Sequence, residues 1–359
     1  MKLKFEVIPH TLNFTFKAGT SRGAFTEKET WLIKAFTKNT PEKVAWGEAS
    51  PLKGLSEDYS EDFGSTLRDY LDQLERQELP DSVKGALDFV SKMIPAAYPS
   101  IRFGIETVLL DFLNGCQFRI FNNLFQRGRR SLPINGLIWM GEESFMQKQI
   151  DEKLKSGFNT IKMKIGAIDF ESEFQLLESI RNNYSSQEIT LRVDANGAFD
   201  ESNVRDRLTA LASLEIHSIE QPIKPKQWVL MADLCKNGLL PIALDEELIG
   251  MHDYQDKVEL LETICPQYII LKPSLIGGIR SCQEWIKIAE ERNIGWWMTS
   301  MLESNIGLNA IAQFTAEYEK LLPQGLGTGQ LYHNNFESPL EIRRGELLYN
   351  TPKYWIIDL

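Results

Sequence analysis

The sequence predicts an α/β protein in which a parallel (β/α) barrel follows a smaller α+β unit. The main observation is a set of seven short apolar segments, each ending in a residue that could do chemistry or approach a ligand closely. They end at Lys164, Asp194, Glu220, Asp245, Lys272, Ser300 and Gly327. Successive ends lie 25 to 30 residues apart, which is room for one strand, one helix and two loops. In such a barrel the strand ends meet at one mouth, where active sites lie.

The chain is long enough for a second unit beside the barrel. A (β/α)₈ barrel takes about 250 residues, and this chain has 359. We predict an α+β domain over residues 1–125 and the barrel over 126–345, with the first barrel strand at 134–140. The strand-like residues 346–359 form a C-terminal segment that could pack back on the first domain.

The N-terminal domain shows the pattern of an antiparallel meander followed by helices. Residues 2–17 alternate between polar and apolar types, and we expect a turn near Pro9. Further strands are expected at 30–37 and 44–48, with short connections between them. Apolar residues then recur with helical spacing over 60–76 and 102–114.

Charge and cysteine usage indicate a cytoplasmic protein that binds neither nucleic acid nor an anionic membrane. The net charge of −11 and the pI of about 5.1 argue against a nucleic-acid or an anionic-membrane surface. The N-terminus lacks the continuous apolar region of a signal peptide, and no stretch approaches the ~20 apolar residues of a membrane span. The cysteines are scattered without a C-x-x-C pair, which indicates free thiols in a reducing compartment. They are Cys116, Cys235, Cys265 and Cys282.

Two lysines end the second predicted barrel strand. Lys162 and Lys164 point to the same face, because residues i and i+2 of a strand do so. Two ammonium groups repel each other, so we expect the pKa of one or both to be lowered. A lysine with a lowered pKa can act as a base near neutral pH. The alternative is that both pair with carboxylates on the barrel helices.

Three carboxylates end the next three strands. Asp194, Glu220 and Asp245 would repel one another if they were buried together, and a hard divalent cation resolves that conflict. We therefore predict a Mg²⁺ site, with Mn²⁺ as a possible substitute. The alternative is that the carboxylates form ordinary salt bridges with Arg192 or the lysines. Glu247 could share a face with Asp245, but Asp245 comes first after the apolar run and is chosen as the ligand.

Lys272 ends the sixth strand, opposite the second in a ring of eight. A substrate held in the mouth would have Lys164 on one side and Lys272 on the other. A carboxylate bound to the metal would make the proton on its α-carbon acidic, a lysine could remove that proton, and the metal would stabilise the enediolate. The sequence therefore predicts proton abstraction next to a carboxylate. A solvated loop lysine at 272 is the alternative.

The whole chain resembles the enolase superfamily, in its muconate-cycloisomerase-like branch. The resemblance implies an N-terminal α+β capping domain over the barrel, Lys164 as acid/base and Lys162 as its assistant. It also implies magnesium on Asp194, Glu220 and Asp245, and Lys272 as a second base or a cation over the enediolate. The motifs that carry it are Thr160-Ile161-Lys162-Met163-Lys164, Asp194-Ala195-Asn196, Glu220-Gln221-Pro222, Asp245-Glu246 and Lys272-Pro273.

Within the branch, two segments are similar to elements of the o-succinylbenzoate synthases. They span residues 299–308 and 325–331. The resemblance implies a syn dehydration of 2-succinyl-6-hydroxy-2,4-cyclohexadiene-1-carboxylate to 2-succinylbenzoate, a step of menaquinone biosynthesis. N-succinylamino acid racemase and dipeptide epimerase remain as alternatives. Dipeptide epimerases carry Asp-x-Asp where this chain has Gly327-Thr328-Gly329, which counts against an ammonium substrate. The chain also departs from the commoner pattern at Glu247 and Met301.

The remaining expectations concern contacts with a small carboxylate substrate. We assign substrate binding to Asn196, Gly327, Ser300 and Leu302 in the barrel, and to Arg22 in the capping domain. Loops 20–24 and 50–55 are expected to close over the mouth, because their glycines and small residues suit a mobile lid. Arg22 or Lys53 could then meet the succinyl carboxylate, although a plain hairpin loop is the alternative for each.

Two other classes fit the sequence less well. A non-catalytic barrel should have lost a metal ligand or a lysine, and none is missing. A metal-dependent hydrolase should carry histidine ligands, and the four histidines do not fall on the recurring strand ends. They are His10, His217, His252 and His333.

Overall fold

The protein has an antiparallel sheet with three helices at its N-terminus and a parallel barrel after it. The structure is a computed structural model and describes residues 2–20 and 23–359. In that part of the chain, no helix is long and apolar enough to span a membrane. The N-terminal elements are β1 (Lys4–Thr20), β2 (Gly23–Thr37), β3 (Thr40–Ala49), α1 (Phe63–Leu74), α2 (Val83–Met93) and α3 (Pro99–Leu113).

The prediction of a turn near Pro9 is wrong. Strand β1 continues through Pro9, which lies opposite Trp31 of β2. The sheet order is β1-β2-β3, so β1 is an edge strand and one of its sides lacks a partner strand. A proline without an N–H is tolerated on such an edge, and local sequence does not reveal whether a strand will be an edge.

The sequence pattern did not predict helix α2, because the apolar face of this helix is short. Only Ala86, Leu87 and Val90 are buried along it, and Gly85 weakens the helical pattern. The Ser82 side chain caps the helix by accepting a hydrogen bond from the Gly85 N–H, which satisfies one of the unpaired donors at a helix start.

The barrel carries its strands and helices in alternation, as predicted. Two short 3₁₀ turns, Glu246–Leu248 and Thr328–Gln330, follow the fifth and eighth strand positions. The other elements are β4 (Leu132–Pro133), β5 (Gly136–Ile138), α4 (Glu143–Lys155), β6 (Thr160–Lys164), α5 (Phe170–Asn183), β7 (Thr190–Asp194), α6 (Val204–Ser213), β8 (Ser218–Glu220), α7 (Trp228–Asn237), β9 (Ile242–Leu244), α8 (Tyr254–Ile264), β10 (Tyr268–Leu271), α9 (Pro273–Ile276), α10 (Gly278–Glu291), β11 (Gly295–Met298), α11 (Asn305–Thr315), β12 (Leu340–Arg343) and β13 (Glu346–Tyr349).

Strands β5 to β11 form the first seven barrel strands. They pair in parallel in chain order, from β5 at one edge to β11 at the other. Residues 324 and 325 occupy the eighth position: Gly325 bridges to Thr299 beyond β11, and Gln324 bridges to Ile134 before β5. The ring is thus closed by a very short eighth strand, and the predicted (β/α) barrel is confirmed.

The capping domain contacts the barrel through buried carboxylates on α3 and β3. Glu106 of α3 accepts hydrogen bonds from the N–H groups of Ile279 and Arg280 at the start of α10. Glu48 of β3 accepts from the N–H groups of Ser304 and Gly307 at the start of α11. The N–H groups at a helix start lack partners within the helix, so each contact satisfies them and anchors one domain to a helix end of the other.

The C-terminal residues return to the capping side of the molecule. Trp355 stacks on Phe118, with ring centroids 4.1 Å apart, and Ile356 bridges to Glu337. Only Glu346–Tyr349 of this segment forms a regular strand. The division at residues 125 and 345 remains our proposal.

Burial of Glu106 predicts a pH dependence of stability. Burial raises its pKa from 4.5 to about 8, although the backbone N–H groups of Ile279 and Arg280 oppose the rise. Between these two values the folded state holds a proton that the unfolded state has lost, so this contribution to stability falls as the pH rises.

We therefore expect Glu106→Gln, which cannot ionise, to gain stability relative to wild type as the pH rises from 5 to 9, by about 1–3 kcal/mol. Denaturant unfolding at several pH values measures this difference. The exposed Glu259→Gln on α8 is the control. A difference that stays constant with pH would contradict the assignment.

Candidate active site

The predicted chemical residues converge at the carboxyl ends of the barrel strands. Lys164, Asp194 and Glu220 lie side by side in register across β6, β7 and β8. Asp245 directly follows β9, and Lys272 directly follows β10. Because the strands are parallel, all five side chains belong to the same mouth.

Lysines lie between the carboxylates in this mouth. Lys162 Nζ lies 3.0 Å from Asp194 Oδ2 and 2.5 Å from Glu220 Oε2. Lys164 Nζ lies 3.1 Å from Asp194 Oδ2, and Lys272 pairs with Asp245. Buried charges are tolerated only when they are paired in this way.

The prediction that a neighbouring ammonium group lowers the pKa is wrong for Lys162. Burial works to lower its pKa, but the negative charges of Asp194 and Glu220 outweigh burial and raise the pKa above its usual range. Lys272 behaves in the same way: burial is opposed by Asp245 and then Glu220, and its pKa is raised. The carboxylates lie nearer to these lysines than the sequence pattern implied, so attraction exceeds repulsion.

Glu220 keeps one carboxyl oxygen that could bind a cation. Burial and the charge of Asp194 raise the pKa of Glu220 to about 8, with a further contribution from Asp245. The buried Oε1 atom of Glu220 has no hydrogen-bond partner within the described residues. Oxygen ligands with spare coordinating capacity are what hard divalent cations bind.

The three carboxylates do not form a ready-made metal cage. In the described part of the chain, no group of three acidic, histidine or cysteine side chains is close enough to hold an ion as it stands. Lys162 and Lys272 occupy the space between the carboxylates. A cation could therefore bind only if these ammonium groups shifted, which long lysine side chains can do.

The structure separates the three consecutive acids at 245–247. The chain enters a 3₁₀ turn after Asp245, so the strand alternation that would put Asp245 and Glu247 on one face does not apply. Glu247 turns away from the mouth and accepts hydrogen bonds from the Lys226 N–H at 2.6 Å and from Trp228 Nε1 at 2.9 Å. Asp245 alone of this pair faces the lysines.

Glu246 is a site residue that the sequence argument passed over. It lines the mouth, and its Oε1 accepts a hydrogen bond from Asn196 Nδ2 at 3.0 Å. Asn196 Oδ1 in turn accepts from Lys164 Nζ at 2.9 Å. Asn196 therefore orients Lys164, and Glu246 orients Asn196. In the sequence, the run of three acidic residues at 245–247 was the only sign of a role for Glu246.

The opposite part of the mouth is neutral and polar. We call it the neutral arc, and it consists of Asn135, Thr299, Gly325, Gly327 and Thr328, all of which line the pocket. Asn135 Oδ1, Thr299 Oγ1 and Thr328 Oγ1 are buried, and no described residue offers any of them a hydrogen bond. Buried polar atoms are normally paired, so the arc is suited to hydrogen-bond a ligand.

Ser300 is placed at the mouth, but its hydroxyl is already engaged. It donates to Glu303 Oε2 at 2.6 Å and accepts from the Leu302 N–H at 3.0 Å. Leu302 lines the pocket in a left-handed conformation with φ of 64°. The free hydroxyl at this strand end belongs to Thr299, which the sequence argument did not select.

The two expected lid loops contribute unequally to the described pocket. Leu52 and Leu55 of the second loop line it, together with Phe25 just after the first loop. Arg22 lies outside the described residues. Lys53 lies over the Tyr59 ring, with Nζ 5.9 Å from the ring centroid, and is exposed.

Comparison with known proteins agrees with this architecture. The family model described as "Enolase C-terminal domain-like" matches residues 146–352. The o-succinylbenzoate synthase of Desulfotalea psychrophila is 46% identical over 94% of this chain and 96% of its own length. The chain belongs to the enolase superfamily. Within that superfamily it is a lyase of the o-succinylbenzoate synthase group.

Solved structures of the superfamily share both domains. The crystal structure of MenC from Desulfotalea psychrophila has a TM-score of 0.85 and 40% identity, covering 97% of this chain and 100% of the other. The L-Ala-D/L-Glu epimerase of Bacillus subtilis has a TM-score of 0.84 at 19% identity, covering 97% and 96%. The second likeness shows the fold alone. Enzymes of the superfamily use a divalent metal, which agrees with the carboxylates at the mouth.

Proposed function

We propose that this enzyme carries out the syn dehydration of 2-succinyl-6-hydroxy-2,4-cyclohexadiene-1-carboxylate to 2-succinylbenzoate, in the cytoplasm and as a step of menaquinone biosynthesis. The observation that carries the proposal is the position of Lys164. It is held by Asp194 at 3.1 Å and by Asn196 at 2.9 Å, with Lys272 on the opposite side of the ring. The partner is a small carboxylate, not a nucleic acid or a membrane.

Asp194, Glu220 and Asp245 would hold a divalent cation, Mg²⁺ by preference or Mn²⁺. When bound there, the cation would supply positive charge beside the substrate carboxylate. It would also neutralise the carboxylates that now raise the pKa of Lys162 and Lys272.

The lysines divide the proton chemistry between them. Lys164 acts as the base that takes the proton from the α-carbon, and the electron pair of that C–H bond moves toward the carboxylate. As the ring becomes aromatic the C–O bond of the neighbouring hydroxyl breaks, and Lys164 returns the proton to the departing hydroxide to form water. Lys272 remains an ammonium group and stabilises the enediolate by its charge. Lys162 supports Lys164 and the substrate carboxylate.

The neutral arc would receive the side chain of the substrate. Two hydroxyls and one amide can hydrogen-bond the oxygens of a succinyl group, and hydrogen bonds to a charged group are stronger than neutral ones. The arc contains no carboxylate to meet an ammonium group. This arrangement favours the succinyl substrate over a dipeptide.

The first test is an ultraviolet assay for 2-succinylbenzoate with purified protein and Mg²⁺. We expect turnover by wild type and a loss of about 10²–10⁴-fold in kcat for Lys164→Ala, because general acid–base catalysis contributes that much. Lys153→Ala, on the outer helix α4, is the control.

The alternative is racemisation of N-succinylamino acids, in which Lys164 and Lys272 would both act as bases. Wild-type protein that leaves the diene unchanged, yet exchanges the α-proton of N-succinylamino acids in deuterated water, would contradict the dehydration and support this alternative.

A second test concerns the neutral arc. Thr299→Val keeps the shape of the side chain and removes its hydroxyl. We expect KM for the substrate to rise about tenfold with kcat nearly unchanged, because a hydrogen bond to the substrate side chain is lost away from the reacting atoms.

Thr107→Val in α3 is the control for that substitution, since the Thr107 hydroxyl is buried but donates within its own helix to the Gly104 carbonyl. An unchanged KM for Thr299→Val would remove Thr299 from the substrate site.

A further inference from the structure

Gln221 joins the two strand ends that carry Glu220 and Asp245. It follows Glu220 directly, and its side chain is buried. Its Oε1 accepts hydrogen bonds from the N–H groups of Asp245 and Glu247, at 3.2 and 3.3 Å. Its Nε2 donates to the Ile223 carbonyl at 3.0 Å and to Glu247 Oε2 at 3.1 Å. One side-chain amide therefore connects the loop after β8 to the loop after β9.

Glu247 completes this connection from the other loop. It is buried, and its Oε1 accepts from the Lys226 N–H and from Trp228 Nε1, while its Oε2 accepts from Gln221. Because both oxygens accept, an amide at this position could not make all three bonds. An acid is therefore needed here for a reason other than metal binding. We call Gln221 and Glu247 the clamp.

The backbone of Gln221 is held in an unfavourable conformation by its neighbours. Its φ is 40°, in the left-handed region that costs a residue with a side chain about 1–3 kcal/mol. The Gln221 N–H donates to the Ala243 carbonyl at 2.9 Å, and the Gly197 N–H donates to the Gln221 carbonyl at 2.7 Å. Gly197 lies three residues after Asp194. Gln221 therefore contacts the chain beyond all three strands that end in a predicted metal ligand.

We propose that Gln221 and Glu247 are positioning residues of the cation site, which bind no metal themselves but set the spacing of the carboxylates that do. The role rests on the proposed function, which assigns Asp194, Glu220 and Asp245 to a divalent cation. Mg²⁺ requires near-ideal geometry with ligands about 2.0–2.1 Å away, so a small shift of one strand end weakens binding. The clamp fixes the loops that carry Glu220 and Asp245, whereas the lysine side chains between the carboxylates remain able to move.

The test is the affinity of purified, metal-free enzyme for Mn²⁺ without substrate, measured by electron paramagnetic resonance. Gln221→Met keeps the length of the side chain, removes all of its hydrogen bonds and changes no charge. We expect its dissociation constant for Mn²⁺ to rise about 10–100-fold, as for other residues that orient metal ligands. Glu247→Gln should also weaken binding, because at least one of its three hydrogen bonds is lost. Melting temperatures are measured in parallel.

Gln313→Met in α11 is the matched control. Gln313 is also buried, and its Oε1 accepts from the N–H groups of Ile120 and Phe121. Its Nε2 donates to the Phe118 carbonyl and to Asn309 Oδ1. The same kinds of hydrogen bond are thus lost away from the strand ends. This variant should melt at a lower temperature but bind Mn²⁺ as wild type does.

The outcomes separate the clamp from the proposed function. An unchanged Mn²⁺ affinity in Gln221→Met, or an equal loss in Gln313→Met, would overturn the clamp. Weaker binding in Glu247→Gln alone would overturn it as well, because the lost negative charge would then explain the effect. If Gln221→Met does not fold, Trp228→Phe decides, since it removes one donor to the clamp: weaker binding supports the clamp and unchanged binding contradicts it.

Wild-type protein distinguishes the two proposals directly. Wild type that binds Mn²⁺ through the clamp but forms no 2-succinylbenzoate would overturn the proposed reaction and leave the clamp in place. Wild type that forms 2-succinylbenzoate, with Mn²⁺ affinity unaffected by Gln221→Met, would overturn only the clamp. Wild type that binds no Mn²⁺ would overturn the cation site and the clamp together.

Discussion

Buried opposite charges at the mouth of the barrel are the constraint on which the rest of the structure depends. Lys162 bridges Asp194 and Glu220, Lys272 pairs with Asp245, and all five side chains are buried. Charges in such a place are costly unless they are paired. The parallel strands satisfy this requirement because they bring all their carboxyl ends to one rim. The same pairing keeps the five groups together at the mouth of the barrel.

The capping domain is joined to the barrel through hydrogen bonds to buried carboxyl groups. Glu48 and Glu106 each accept hydrogen bonds from N–H groups at a helix N-terminus of the barrel. Apolar side chains from the same domain, Phe25 and Leu52, cover the pocket. These hydrogen bonds therefore fix how the domains fit together, and the apolar residues cover the mouth of the barrel.

Much of the fold and the chemical residues could be predicted because they follow the strand period. Asp194, Glu220 and Lys272 each end an apolar run, and a parallel sheet brings such ends together whatever the details of packing. Features that depend on tertiary neighbours could not be predicted. Pro9 is tolerated because β1 is an edge strand. The Ser300 hydroxyl is already used in a hydrogen bond to Glu303. The contact of Glu48 with the start of α11 joins residues far apart in sequence, so no local pattern reveals it.

The most direct test of this account is the position of a bound cation. Crystals of the enzyme grown with Mn²⁺ and 2-succinylbenzoate would locate the metal by its anomalous scattering. The account predicts a single peak coordinated by Asp194, Glu220 and Asp245, with the ammonium groups of Lys162 and Lys272 moved off those oxygens and Lys164 still bonded to Asn196. A metal held through Glu247, or none while the lysine–carboxylate pairs stay intact, would contradict it.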